Sequence, residues 1–145
     1  MKFLLLAAAS VLAATPALGI DGPAADSGRK LSATLTGVAE VPGPGDADGS
    51  GSAAVRVNAG QGQVCYELTY AGIDAPTAAH IHTGAAGVAG GVAVPLAVGA
   101  GGTISGCAAV SRELAQNLIQ SPGGFYVNIH TASFPNGAIR GQLSK

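Results

Sequence analysis

The sequence predicts an all-β protein: an antiparallel sandwich or barrel of about eight short strands that carries one short helix. Three observations predict it. Apolar and polar residues alternate with a period of two in one segment after another, as half-buried strands require. Turn-forming clusters divide those segments, and the chain has 23 glycines and 8 prolines in 145 residues. Only one stretch shows helical spacing instead.

The N-terminus stands apart from this pattern. Lys2 supplies a positive start, Phe3 to Ala14 is almost wholly apolar, and Ala17-Leu18-Gly19 puts small residues at a cleavage point. Residues 1–19 therefore read as a secretory signal peptide, its apolar run being shorter than the roughly 20 residues that span a bilayer. Every later apolar run is interrupted by glycine, proline or a polar residue, so no membrane span is expected. Residues 20–29 are polar, contain Pro23, and read as a flexible leader. Residues 30–145 form the domain.

Its strands follow in order. Leu31, Ala33 and Leu35 alternate with Ser32, Thr34 and Thr36. Ala53, Val55 and Val57 alternate with Ala54 and Arg56, and Val64, Tyr66, Leu68 and Tyr70 with Cys65, Glu67 and Thr69. Ala78–Thr83, Val92–Leu96, Thr103–Ala108, Phe125–Thr131 and Ala138–Leu143 complete the set. Turns are expected at 42–51, 58–62, 99–102 and 135–137. The helix is expected over Ser111–Gln120. Ser111 is its N-cap, Glu113 lies in its first turn, Leu114 and Leu118 share a face, and Pro122-Gly123-Gly124 ends it. Asp46 and Asp48 invite a calcium reading, but the other acidic ligands of a calcium loop are missing, and a solvated turn is the simpler expectation.

Charge and motifs exclude several functions. The net charge is −1 and the seven Lys and Arg are scattered, with no basic patch for a nucleic acid. No G-x-S-x-G elbow, no phosphate-cradling glycine loop and no acid pair suited to glycoside hydrolysis occurs. Glu67 reads as a solvated strand residue. In an exported protein, Cys65 and Cys107 read as a disulfide, worth roughly 4 kcal/mol in the chain-entropy model. Their wide separation lacks the close spacing of zinc or redox motifs.

The histidines carry the chemistry. There are three, in His80-Ile81-His82 and in Phe125-Tyr126-Val127-Asn128-Ile129-His130. On a strand, His80 and His82 share one face. On the other strand, Tyr126, Asn128 and His130 share the face opposite Phe125, Val127 and Ile129. All three imidazoles are thus expected on faces turned away from the core. If the two strands are neighbours, the rings converge, and three neutral imidazoles suit copper, with zinc as the alternative. Their ring nitrogens should then lie within about 4 Å of one another. Tyr126 and Asn128 stand where they would orient an imidazole, with cross-strand packing as the alternative for each.

At these residues the chain resembles a known family. Ala79-His80-Ile81-His82-Thr83-Gly84, Tyr126-Val127-Asn128-Ile129-His130-Thr131 and Phe134-Pro135-Asn136-Gly137-Ala138-Ile139-Arg140-Gly141-Gln142-Leu143 look like the CHRD (chordin-type) domain. Leu31 to Gly37, Glu40-Val41-Pro42 and Val64 to Leu68 match as well, so the likeness covers about Lys30 to Leu143. The resemblance implies an exported domain without an assigned reaction. Repeats of such domains occur in a secreted animal antagonist of growth factors, but a single copy here carries over fold and location rather than that role. A more distant, partial likeness is to copper-zinc superoxide dismutase, in which His80, His82 and His130 would correspond to copper ligands. The chain has no fourth histidine to bridge a zinc and no zinc loop, so a two-metal dismutase is excluded. In that likeness Arg140 would guide an anion. The alternative is a structural partner for a carboxylate or a carbonyl near Pro135–Gly137.

The reading that follows is a secreted or periplasmic, disulfide-bonded, all-β domain of Greek-key sandwich or barrel type. Its first assignment is a non-catalytic binding module with a metal ion, copper before zinc, on His80, His82 and His130. Tyr126, Asn128 and Arg140 would support that site. A copper-dependent redox enzyme and a metal-free structural or adhesive domain are the alternatives. An extracellular protein partner is compatible with each.

Overall fold

The computed structural model describes residues 28–99 and 101–145. The signal peptide and residues 20–27 of the leader lie outside them. The described residues form eight strands: β1 (Arg29–Thr36), β2 (Ser50–Asn58), β3 (Gln63–Ala71), β4 (Pro76–Thr83), β5 (Val92–Leu96), β6 (Thr103–Ala109), β7 (Phe125–Thr131) and β8 (Ile139–Gln142). The one α-helix among them, α1 (Arg112–Gln120), joins β6 to β7. Each strand falls where the sequence places one. β5 and β7 have the bounds the sequence predicts, β2 starts three residues earlier, and β8 is shorter at both ends.

All strand pairs are antiparallel and form one eight-stranded sheet in the order β5-β4-β7-β8-β1-β2-β3-β6. The sheet curls until its two edges, β5 and β6, approach each other, giving a nearly closed barrel. The backbone N–H of Ala97, just past β5, donates to the Tyr66 hydroxyl at 2.8 Å and helps to close this seam. Around the barrel, β3 to β4 and β6 to β7 each pass over two intervening strands, which is the Greek-key element of the topology.

The alternating apolar residues fill the interior. Leu31, Leu35, Val55, Val57, Val64, Leu68, Ile81, Ile104, Val127, Ile129 and Ile139 are all buried. The helix covers the end of the barrel where β6 finishes and β7 begins, burying Ala115 and Leu118. Ser111 is its N-cap as expected: its hydroxyl accepts from Leu114 N–H at 3.1 Å, which satisfies one of the free donors of the first turn. Gly141 is required where β8 crosses β1, because a Cβ there would lie 2.1 Å from the Thr34 carbonyl oxygen.

On the outer wall, Cys65 and Cys107 are direct cross-strand partners on β3 and β6 and form a disulfide 42 residues apart in sequence. Asp46 accepts the Asp48 backbone N–H through Oδ1 at 3.1 Å, the geometry of a solvated turn.

One expectation needs correction. The face of β7 that carries Tyr126 and Asn128 is turned away from the core, yet both residues are only 3% exposed. The β4–β5 connection, residues 84–91, folds back over this face. The Arg140 guanidinium holds Ala85 O at 2.9 Å, the Gln142 side-chain amide holds Gly84 O at 2.7 Å, and the Tyr126 hydroxyl accepts Gly90 N–H at 3.2 Å. A run of glycine and alanine carries no periodic signal, so where it packs is not written in its sequence.

Candidate metal centre

β4 and β7 are neighbours, and their register places His80 opposite Asn128, His82 opposite Tyr126 and Ala78 opposite His130. His80 and His82 lie on one face of β4, so the three imidazoles meet on the outer wall. One ring nitrogen from each lies within 4.8 Å of the other two. This is looser than the expected 4 Å for the whole set, although His80 Nδ1 and His130 Nε2 are only 3.1 Å apart. Nitrogens bound to one zinc or copper ion at about 2.0–2.1 Å stand roughly 3.3 Å apart in a tetrahedron. At its widest the set is therefore about 1.5 Å too open, and binding must draw the rings together.

Hydrogen bonds fix the protonation of two rings. His82 Nδ1 lies 2.9 Å from Gly90 O, and His130 Nδ1 lies 2.9 Å from Pro135 O. A carbonyl oxygen only accepts, so each Nδ1 carries a proton, and in the neutral tautomer Nε2 is the nitrogen that holds the lone pair. Anchoring of one ring nitrogen to a backbone carbonyl is how proteins present the other nitrogen to a metal. At His82 that other nitrogen, Nε2, is buried and has no hydrogen-bond partner. An unpartnered buried lone pair costs about 1–3 kcal/mol, and a bound cation would remove that cost.

At His130, Nε2 faces both His80 Nδ1 and the Asn128 side-chain amide, each at 3.1 Å. A lone pair meets the amide favourably only through its NH2 group. The neutral His130 ring thus calls for the Asn128 amide nitrogen, not its oxygen, on this side. Burial first, and then the neighbouring imidazoles His130 and His82, hold His80 below the ordinary histidine range. His130 is also lowered, mainly by burial, with its bond to Pro135 opposing. Both shifts favour the neutral, metal-ready form.

The other expected site residues sit around this centre. Tyr126 stacks flat on His82, with centroids 4.8 Å apart and planes 2° apart. The Arg140 guanidinium lies over the Tyr126 ring, 3.4 Å from its centroid. Arg140 is 1% exposed and acts as a structural partner: its guanidinium holds Ala85 O in the β4–β5 connection, and its charge acts on the Glu40 carboxyl, which lies against Gly137. Gly90 supports the site by close approach: a Cβ there would fall 1.5 Å from Thr83 O. The sequence reading assigned roles to neither Gly90 nor Glu40. Glu40 is 5% exposed, and desolvation pushes its carboxyl up to about 7 against the opposing charge of Arg140. Its signals were its place between apolar neighbours and in the Glu40-Val41-Pro42 match.

Residues 31–143 match the family model of the CHRD domain. No curated protein and no solved structure matches the chain.

Proposed function

The chain belongs to the CHRD-domain family, and from that premise we propose that it is an exported binding module whose outer wall holds one metal ion through His80, His82 and His130. The family, together with the disulfide, fits an extracellular or periplasmic protein. No helix among the described residues is long and apolar enough to cross a membrane.

The observation that carries the metal reading is the His82 ring. It is tethered through Nδ1, buried, and presents an unpartnered Nε2 within a group of three imidazoles. The donors are all neutral nitrogens. Copper ranks first because it leads the divalent affinity order for nitrogen sites, with zinc second. Bound there, the ion would link β4 to β7 and act as a Lewis acid or an electron carrier. The chain itself supplies the ring orientation, through Gly90, Pro135 and the stacked Tyr126.

Titration of purified protein with Cu(II), Cu(I) and Zn(II) tests this. One ion per chain is expected, with affinity lowered at least about 100-fold in His82→Ala. Absence of stoichiometric binding would remove the proposal. Superoxide turnover by the copper-loaded protein would move the assignment from binding module to redox enzyme.

A further inference from the structure

The three imidazoles do not complete a four-coordinate site, and the chain has little left with which to complete it. All three histidines are already used, both cysteines are bonded to each other, and the sole methionine is Met1. Among the described residues no carboxylate joins the cluster. A second copy of the chain offers no further imidazole or thiolate either. Among the described residues the remaining position is therefore left to a ligand from outside.

The surroundings specify its charge. Three neutral donors leave the full charge of the ion uncompensated. A buried cation stands close by: the Arg140 guanidinium lies on the Tyr126 ring that stacks on His82. Asn128 adds a donor. It is 3% exposed and is the cross-strand neighbour of both His80 and Arg140. Its amide contacts His130 Nε2 at 3.1 Å. That lone pair turns to the metal when an ion binds, which leaves the Asn128 NH2 group beside the ion with nothing to donate to.

We propose that the metal centre takes a small anion from solution as its remaining ligand, and that Asn128 donates a hydrogen bond to it. This rests on the metal reading above and adds the class of molecule that the site receives. Asn128 is a specificity residue in this scheme and not itself a metal ligand.

The probe is sodium azide added to the copper(II)-loaded protein, followed by the azide-to-copper charge-transfer absorption and by the electron paramagnetic resonance spectrum. Saturable binding is expected, with chloride competing. Asn128→Leu removes the donor at similar volume, and Asn128→Ser retains a shorter one. The copper content of each variant is measured before azide is added. Azide affinity of the copper-loaded Asn128→Leu variant should fall at least about tenfold, and the Asn128→Ser variant should lie between it and the parent. Failure of the parent protein to bind copper would overturn the metal reading itself. Copper binding with spectra blind to azide would overturn this inference alone. Azide affinity unchanged in both variants would overturn the role of Asn128. The parent protein decides the anion question even if a variant folds poorly.

Discussion

At the scale of single residues, a buried carboxyl and two half-buried imidazoles pull the pH response in opposite directions. Glu40 is raised from 4.5 to about 7, principally by burial. Between those values the folded chain holds a proton that the unfolded chain releases, so Glu40 lowers stability as pH rises through that window. His80 and His130 are lowered from 6.5. There the unfolded chain binds the extra proton, so these rings lower stability as pH falls below 6.5. In metal-free protein the two effects offset each other. Glu40→Gln removes the first and leaves the second. The variant should lose more melting temperature than the parent between about pH 7 and about pH 5. Equal slopes in the two proteins would contradict the assignment. The histidines were legible in the sequence because they are few and sit at strand spacing. Glu40 was not, since burial of a lone carboxyl depends on which turns close over it.

At the scale of elements, alternation marked β1, β2 and β3 because each has one face inside a barrel. The same rule failed for the outer face of β7, where the β4–β5 connection supplies a second cover. That connection is therefore part of the site. Gly90→Ala would place a methyl group 1.5 Å from Thr83 O. The connection must then move, and His82 Nδ1 loses its acceptor. Copper affinity measured by competition with a chelator should fall about 10–100-fold. The melting temperature of metal-free protein should change little, because the barrel core is untouched. Unchanged affinity would show that the Gly90 tether is dispensable.

At the scale of the whole molecule, the eight strands and the helix were legible but their order around the barrel was not. Nothing in β3 alone says that its outer neighbour is β6 instead of β4. The Cys65–Cys107 pairing named that contact without fixing its register. Replacing both cysteines by serine should reduce stability by up to about 4 kcal/mol in denaturant unfolding. Part of this effect should be local. β6 has one hydrogen-bonded neighbour, β3, and its other side faces the seam. Hydrogen exchange in the double variant should quicken first along Thr103–Ala109, with β1 and β8 the last to follow. Uniform acceleration across all strands would instead mean that the bridge acts only on the unfolded chain.

The seam also has a consequence for how the domain meets its neighbours in a crowded compartment. A cylinder stitched all the way round offers no lip for another chain to extend, whereas this one keeps two. Pro95, inside β5, withholds one amide from that margin. The sulfur clasp fastens the opposite margin to its own wall. Oxidation therefore does more than add rigidity: it keeps a free border from becoming a template for foreign strands.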